Sequence, residues 1–121
     1  MALQRAALDG EALAARLLLP GGRVLLAGPP GVGKSTLARS LGAACAAAGH
    51  PCACLGADPG SPGFGVPGAL ALGAWSGSSW RTTALAALCT LDAARSRLPL
   101  VAALGELAAR APPGPLVVDA P

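Results

Sequence analysis

Aromatic side chains are scarce in this sequence: one phenylalanine, two tryptophans and no tyrosine among 121 residues. Charge is also sparse, with 12% charged residues and a net charge of +3. No cluster of five or more basic residues occurs, so charge alone gives no argument for a nucleic-acid-binding arm. No run of 18 apolar residues is present, which removes the hydropathy signal of a membrane-spanning helix. The start lacks the basic, apolar and small-residue regions of a signal peptide, so a cytoplasmic location is the default expectation. The four cysteines, Cys45, Cys52, Cys54 and Cys89, include no C-x-x-C pair, and His50 is the single histidine. That spacing offers little to zinc, and buried structural thiols are the better reading. Cys52 and Cys54, two apart on an expected strand, point to one face.

What is abundant is alanine, glycine, leucine and proline, and the apolar fraction reaches 53%. This suits one small α/β domain whose central strands are covered on both faces. The strongest local signal is Gly28-Pro29-Pro30-Gly31-Val32-Gly33-Lys34-Ser35-Thr36, which fits the phosphate-loop pattern G-x-x-x-x-G-K-[ST]. Its fixed positions recur by chance in about one chain of this length in a few hundred. Glycines let the backbone take positive φ and approach a phosphate, and successive amides form a nest beside a helix N-terminus. Lys34 is suited to reach the β- and γ-phosphates, and the Ser35 hydroxyl to bind Mg²⁺. The context agrees: an apolar run, Arg23 to Ala27, precedes the motif, and a helical pattern, Thr36 to Ala48, follows it. Lys34 is the only lysine in the chain. A compact ammonium stands where phosphate chemistry needs one.

The rest of the chain reads as alternating elements. Residues 1–19 are expected to form an N-terminal helical segment, and residues 20–121 a P-loop domain. A strand is expected within Pro51–Ala57, then a loop dense in glycine and proline, Asp58 to Gly68. Ala69 to Leu72 reads as a short extra strand, and Gly73 to Thr82 as a polar connector. Thr83 to Thr90 fits helix or strand; strand is preferred because a loop and helix follow. Leu98 to Arg110 reads as a helix with Pro99 in its first turn, and Leu116 to Val118 as a strand. The expected fold is a P-loop α/β domain with a mostly parallel sheet flanked by helices. It looks truncated: a core strand runs into Pro121 with nothing after it, as in the N-terminal portion of a longer protein.

Three aspartates stand past the carboxyl ends of expected strands, where open α/β sheets bind ligands. Asp58 is the best candidate for a catalytic or metal role, because a rigid Pro59-Gly60 turn fixes its direction. Asp119 follows three apolar residues in the manner of a Walker B aspartate and is a candidate metal ligand. Asp92 reads better as a capping residue. Phe64, Trp75 and Trp80 fall in expected loops, where anchoring to the core is the commoner role and stacking on a base the rarer one.

The phosphate loop together with Asp58-Pro59-Gly60-Ser61-Pro62-Gly63-Phe64-Gly65-Val66-Pro67-Gly68 resembles the P-loop polynucleotide 5′-hydroxyl kinase family. Members of that kind act in mRNA 3′-end cleavage and in pre-ribosomal RNA processing. Asp58 lies 24 positions after Lys34, close to the family separation. The resemblance implies ATP and Mg²⁺ as cofactors and the 5′ end of an RNA or DNA as phosphoryl acceptor. It implies that Lys34, Ser35 and Thr36 serve the phosphates and the metal, and that Asp58 serves the metal and the attacking hydroxyl. Ser61 stands where the family often has glutamine, and the family's lid arginines and aromatic clasp would lie beyond Pro121. Two other readings stay open at this level: a switch ATPase or GTPase with a deviant aspartate, and a non-catalytic ATP-binding scaffold.

Overall fold

The structure, a computed structural model, describes residues 10–29, 31–60 and 62–121. Residues 1–9 of the N-terminal segment, together with Pro30 of the phosphate loop and Ser61, lie outside the described residues. The elements run α1 (Gly10–Leu17), β1 (Arg23–Leu26), α2 (Lys34–Ala47), β2 (Ala53–Gly56), β3 (Ala69–Trp75), β4 (Trp80–Ala87), α3 (Arg97–Arg110) and β5 (Leu116–Asp119). A 3₁₀ turn at Ala94–Ser96 leads into α3.

The five strands form one sheet in the order β1-β5-β2-β3-β4. β1, β5 and β2 pair in parallel, whereas β3 is antiparallel to both β2 and β4. The sheet is therefore mixed, with a parallel half and a hairpin half. The expected polar connector accounts for the difference. Gly73 to Trp75 continue β3, Trp80 to Thr82 begin β4, and Trp75 pairs directly with Trp80. A tight turn joins them, held by hydrogen bonds from Ser76 N and Oγ to Ser79 O, both 2.9 Å. Serine and glycine suggested a long loop, but cross-strand packing of two indoles stabilises a hairpin there. The rings meet edge to face, with centroids 5.0 Å apart.

Alternation along the strands sorts the core into two layers. Cys52, Cys54 and Val117 pack with Ala38, Leu41 and Cys45 of α2 and with Leu17 of α1. Ala53, Leu55 and Leu116 pack on the opposite face with Leu100, Ala103 and Leu107 of α3. Leu17, Leu41, Leu70 and Leu107 are fully buried, and burying such a side chain contributes about 1.5–3 kcal/mol. The buried face of α2 is Ala38, Leu41, Gly42 and Cys45. Gly42 on this face meets the two tryptophans.

Gly42 leaves room for both indoles. A Cβ there would lie 2.7 Å from Trp75 and 2.8 Å from Trp80. Gly42→Ala is expected to cost about 1–3 kcal/mol through overpacking, measured as a lower urea midpoint with unchanged slope. A fall smaller than the uncertainty of the fit would contradict this packing.

Cys45, Cys52 and Cys54 are buried and unpaired, and Cys89 is exposed. Burial, and secondarily the neighbouring Cys45, pushes the Cys52 thiol up to about 12. Burial, reinforced by the Asp119 carboxylate, raises Cys54 as well. A thiol raised on folding contributes stability that is complete below its unfolded value, near 9, and is lost as pH rises toward the folded value. Unfolding free energy is therefore expected to hold level below pH 9 and to fall above it. Denaturant titrations across that range check the sign.

Candidate functional site

β1, β5, β2 and β4 all end at the same edge of the sheet, since only β3 runs the other way. The register aligns Leu26, Asp119 and Gly56 across the three parallel strands. Whatever follows Leu26, Asp119 and Gly56 must therefore gather at one edge. From Leu26 the chain enters the phosphate loop; from Gly56 it passes through Ala57 to Asp58.

The loop has the backbone its glycines permit. Gly31 and Gly33 take φ of 81° and 94°, and Gly33 is the left-handed residue that starts α2. A side chain with Cβ is strained in that region. Pro29, Val32 and Thr36 are exposed, Thr36 in the first turn of α2. Lys34 and Ser35 open the helix and turn toward β5. The Lys34 ammonium donates to the carbonyls of Gly28 at 2.6 Å and Ala120 at 2.8 Å. The Ser35 hydroxyl donates to Asp119 Oδ2 at 2.9 Å. Asp119 is buried, and Ala57 N donates to its carbonyl at 2.9 Å, which ties the ends of β2 and β5 together.

Asp58 is half-buried at the end of β2, and its Oδ1 accepts the Gly60 amide at 3.1 Å. This local turn aims the carboxylate in the way the Pro-Gly sequence suggests. Asp58 also lines an open cleft of about 830 Å³ whose walls include Leu91, Asp92, Arg97, Val101 and Pro121. Leu91 and Val101 are 62% and 63% exposed, so one wall is apolar. Asp92 caps the turn before α3, accepting the amides of Ala94 at 3.0 Å and Arg95 at 3.3 Å. It also pairs with Arg95 Nε at 3.4 Å. The structure thus joins Lys34, Ser35 and Asp119 directly. It sets Asp58 past the end of the neighbouring strand, in the wall of the cleft.

Three features of the site escaped the sequence. The Ala120 carbonyl has no side-chain signature. Gly63 comes so near that a Cβ there would lie 3.1 Å from Ser35 Oγ and 3.6 Å from Asp119 Oδ2. Trp80 and Phe64 stand in the same crevice as Ser35 and Asp119. The aromatic scarcity noted above was the available clue, since Trp80 packs beside both of the other rings.

Among the described residues no group of three or more His, Cys, Asp and Glu side chains could hold a metal by itself. A hydroxyl and a carboxylate in contact fit Mg²⁺ nonetheless. That ion prefers oxygen and is commonly held by one or two protein groups, with phosphates and water completing the shell. Among the described residues no helix is long and apolar enough to cross a membrane.

A glycine-rich turn that delivers a lysine and a serine from a parallel strand into a helix, beside a strand-ending aspartate, defines a P-loop nucleotide-binding protein. Residues 28–90 match the family model for the mRNA cleavage and polyadenylation factor CLP1 P-loop. The chain belongs to this family of P-loop proteins, in line with the resemblance carried by its two motifs. The family places it among nucleotide-binding proteins connected with mRNA processing. No curated protein matches the chain.

Proposed function

We propose that the chain binds ATP with Mg²⁺ and serves phosphoryl transfer to the 5′-hydroxyl of a polynucleotide. The observation that carries this reading is the position of Asp58. It stands at the phosphate-loop edge and at the same time in the wall of the 830 Å³ cleft. A carboxylate so placed can serve a donor phosphate on one side and an acceptor hydroxyl on the other.

The chain's own residues divide the work. The amides of Gly31 to Lys34 cradle phosphate oxygens at the N-terminus of α2. The Lys34 ammonium exchanges its carbonyl partners, Gly28 and Ala120, for phosphate oxygens. Ser35 and Asp119 hold the metal, which when bound neutralises charge on the phosphates. Asp58 orients the acceptor hydroxyl and takes its proton as the oxygen attacks. Arg97, at the start of α3 and in the cleft wall, suits a polynucleotide phosphate. Donor and acceptor held in line lower the barrier chiefly by positioning and charge stabilisation.

The test is transfer of label from γ-labelled ATP to oligonucleotides bearing a 5′-hydroxyl, with RNA and DNA in separate reactions and 5′-phosphorylated oligonucleotides as controls. Label on the 5′-hydroxyl species alone supports the kinase reading. ATP hydrolysis without an acceptor, or ATP retained through purification without turnover, would replace it with a switch or a scaffold.

A further inference from the structure

Phe64 is the single phenylalanine of the chain, and its ring is packed into the sheet beneath its own loop. Two strand glycines make the socket. A Cβ at Gly73 would lie 2.7 Å from the ring, and one at Gly56 would lie 3.2 Å from it. Gly73 also marks the irregularity in the β3–β4 pairing. The Trp80 indole closes the third side, with ring centroids 6.3 Å apart. Trp75 and Gly42 of α2 back Trp80 in turn.

The socket has a consequence one residue upstream. With the ring seated, the Gly63 backbone lies against Ser35 and Asp119: a methyl group there would crowd Ser35 Oγ at 3.1 Å and come into ordinary contact with Asp119 Oδ2 at 3.6 Å. The space left between this loop, the Ser35–Asp119 pair and the two aromatic rings is about 10 Å³. The loop is exposed at Gly63, Gly65, Val66 and Pro67, and its apolar holds on the core are the Phe64 ring and the fully buried Pro59.

We propose that Phe64 is a positioning residue for the metal-holding pair Ser35–Asp119, acting by pinning Gly63 over it. This rests on the reading that the pair holds the metal of a bound nucleotide. Phe64 touches no phosphate itself. It fixes the loop that walls the pair from the side opposite α2, and so limits how the two oxygens and their ligand waters can be arranged. Support of this outer-shell kind commonly carries 10- to 100-fold in metal affinity.

The experiment is titration calorimetry of the whole chain with ATP, once in excess MgCl₂ and once in EDTA. The quantity read is the ratio of the two affinities. Wild type is expected to bind more tightly with Mg²⁺. Phe64→Ala is expected to lose about 10-fold or more of that gain, with its affinity in EDTA close to wild type. Phe64→Leu, apolar and of similar reach, is expected to restore most of the gain. Gly63→Ala keeps the ring but puts a methyl 3.1 Å from Ser35 Oγ, and is expected to lose the gain as Phe64→Ala does. An unchanged ratio in Phe64→Ala overturns the proposal. So does a parallel fall of both affinities, which marks a structural role alone. Should Phe64→Ala not fold, Gly63→Ala and Phe64→Leu decide by the same ratio. Wild type that binds ATP equally with and without Mg²⁺ would instead remove the metal reading on which the proposal rests.

Discussion

Lys34→Ala is expected to reduce phosphoryl transfer by about 10²- to 10³-fold, the size of effect seen when one charge-stabilising donor is removed from a preorganised site. The reason lies in what holds the ammonium now. Two backbone carbonyls, Gly28 and Ala120, accept from it at 2.6 and 2.8 Å. A part-buried ammonium with two short partners is already aimed at the loop, so little ordering entropy remains to be lost when phosphate oxygens take their place. Alanine removes the charge and both of these hydrogen bonds. Lys34→Arg keeps the charge but substitutes a planar fork for a compact ammonium, and it is expected to recover only a small part of the rate. Fold stability should change by about 1 kcal/mol, the net value of an ordinary hydrogen bond. Rates that persist in Lys34→Ala, or a variant that simply unfolds, would both contradict this account. Transfer assays paired with thermal melts distinguish them.

Asp58→Asn is expected to lower transfer by about 10²- to 10⁴-fold, the range for loss of a positioned general base. ATP affinity should stay near wild type. Asparagine is the informative replacement because it retains an Oδ1. That atom can still accept the Gly60 amide, the 3.1 Å bond that shapes the turn, so the loop is preserved while the basic carboxylate is removed. If ATP affinity falls as far as the rate does, Asp58 serves the nucleotide and not the acceptor. Measuring Kd for ATP beside kcat separates the two.

The hairpin of β3 and β4 shows where local reading stops. Seen alone, Gly73-Ala74-Trp75-Ser76-Gly77-Ser78-Ser79-Trp80 is a glycine- and serine-rich stretch with little strand character. Its strand state comes from pairing with β2 on one side and from two indoles packed edge to face across the turn. The strand preference for Thr83 to Thr90 was legible because a loop and helix had to follow it. That strand ends at Ala87, where Leu88 and Cys89 turn to donate to Gly68 O at 2.8 and 2.9 Å. The burial of Cys52 and Cys54 on one face was legible from the period of a strand alone.

The order of residues alone is enough for the phosphate loop, the strand before it and the helix after it. Those depend on contacts among near neighbours: glycines that allow positive φ, a helical pattern beginning at Lys34, and Gly49 at φ 80° ending the helix. It also placed Asp58 and Asp119 at strand ends, because apolar runs stop there. Which of those groups meet depends on pairing between distant parts of the chain. Ser35 and Asp119 lie 84 residues apart, and Lys34 and Ala120 lie 86 apart. They meet because β5 inserts between β1 and β2, a choice made by sheet pairing and by the helices that cover its two faces. The seat of Phe64 belongs to the same class. Glycines on two different strands, a tryptophan on a third and a bulge between them make a socket that no window of neighbouring residues contains.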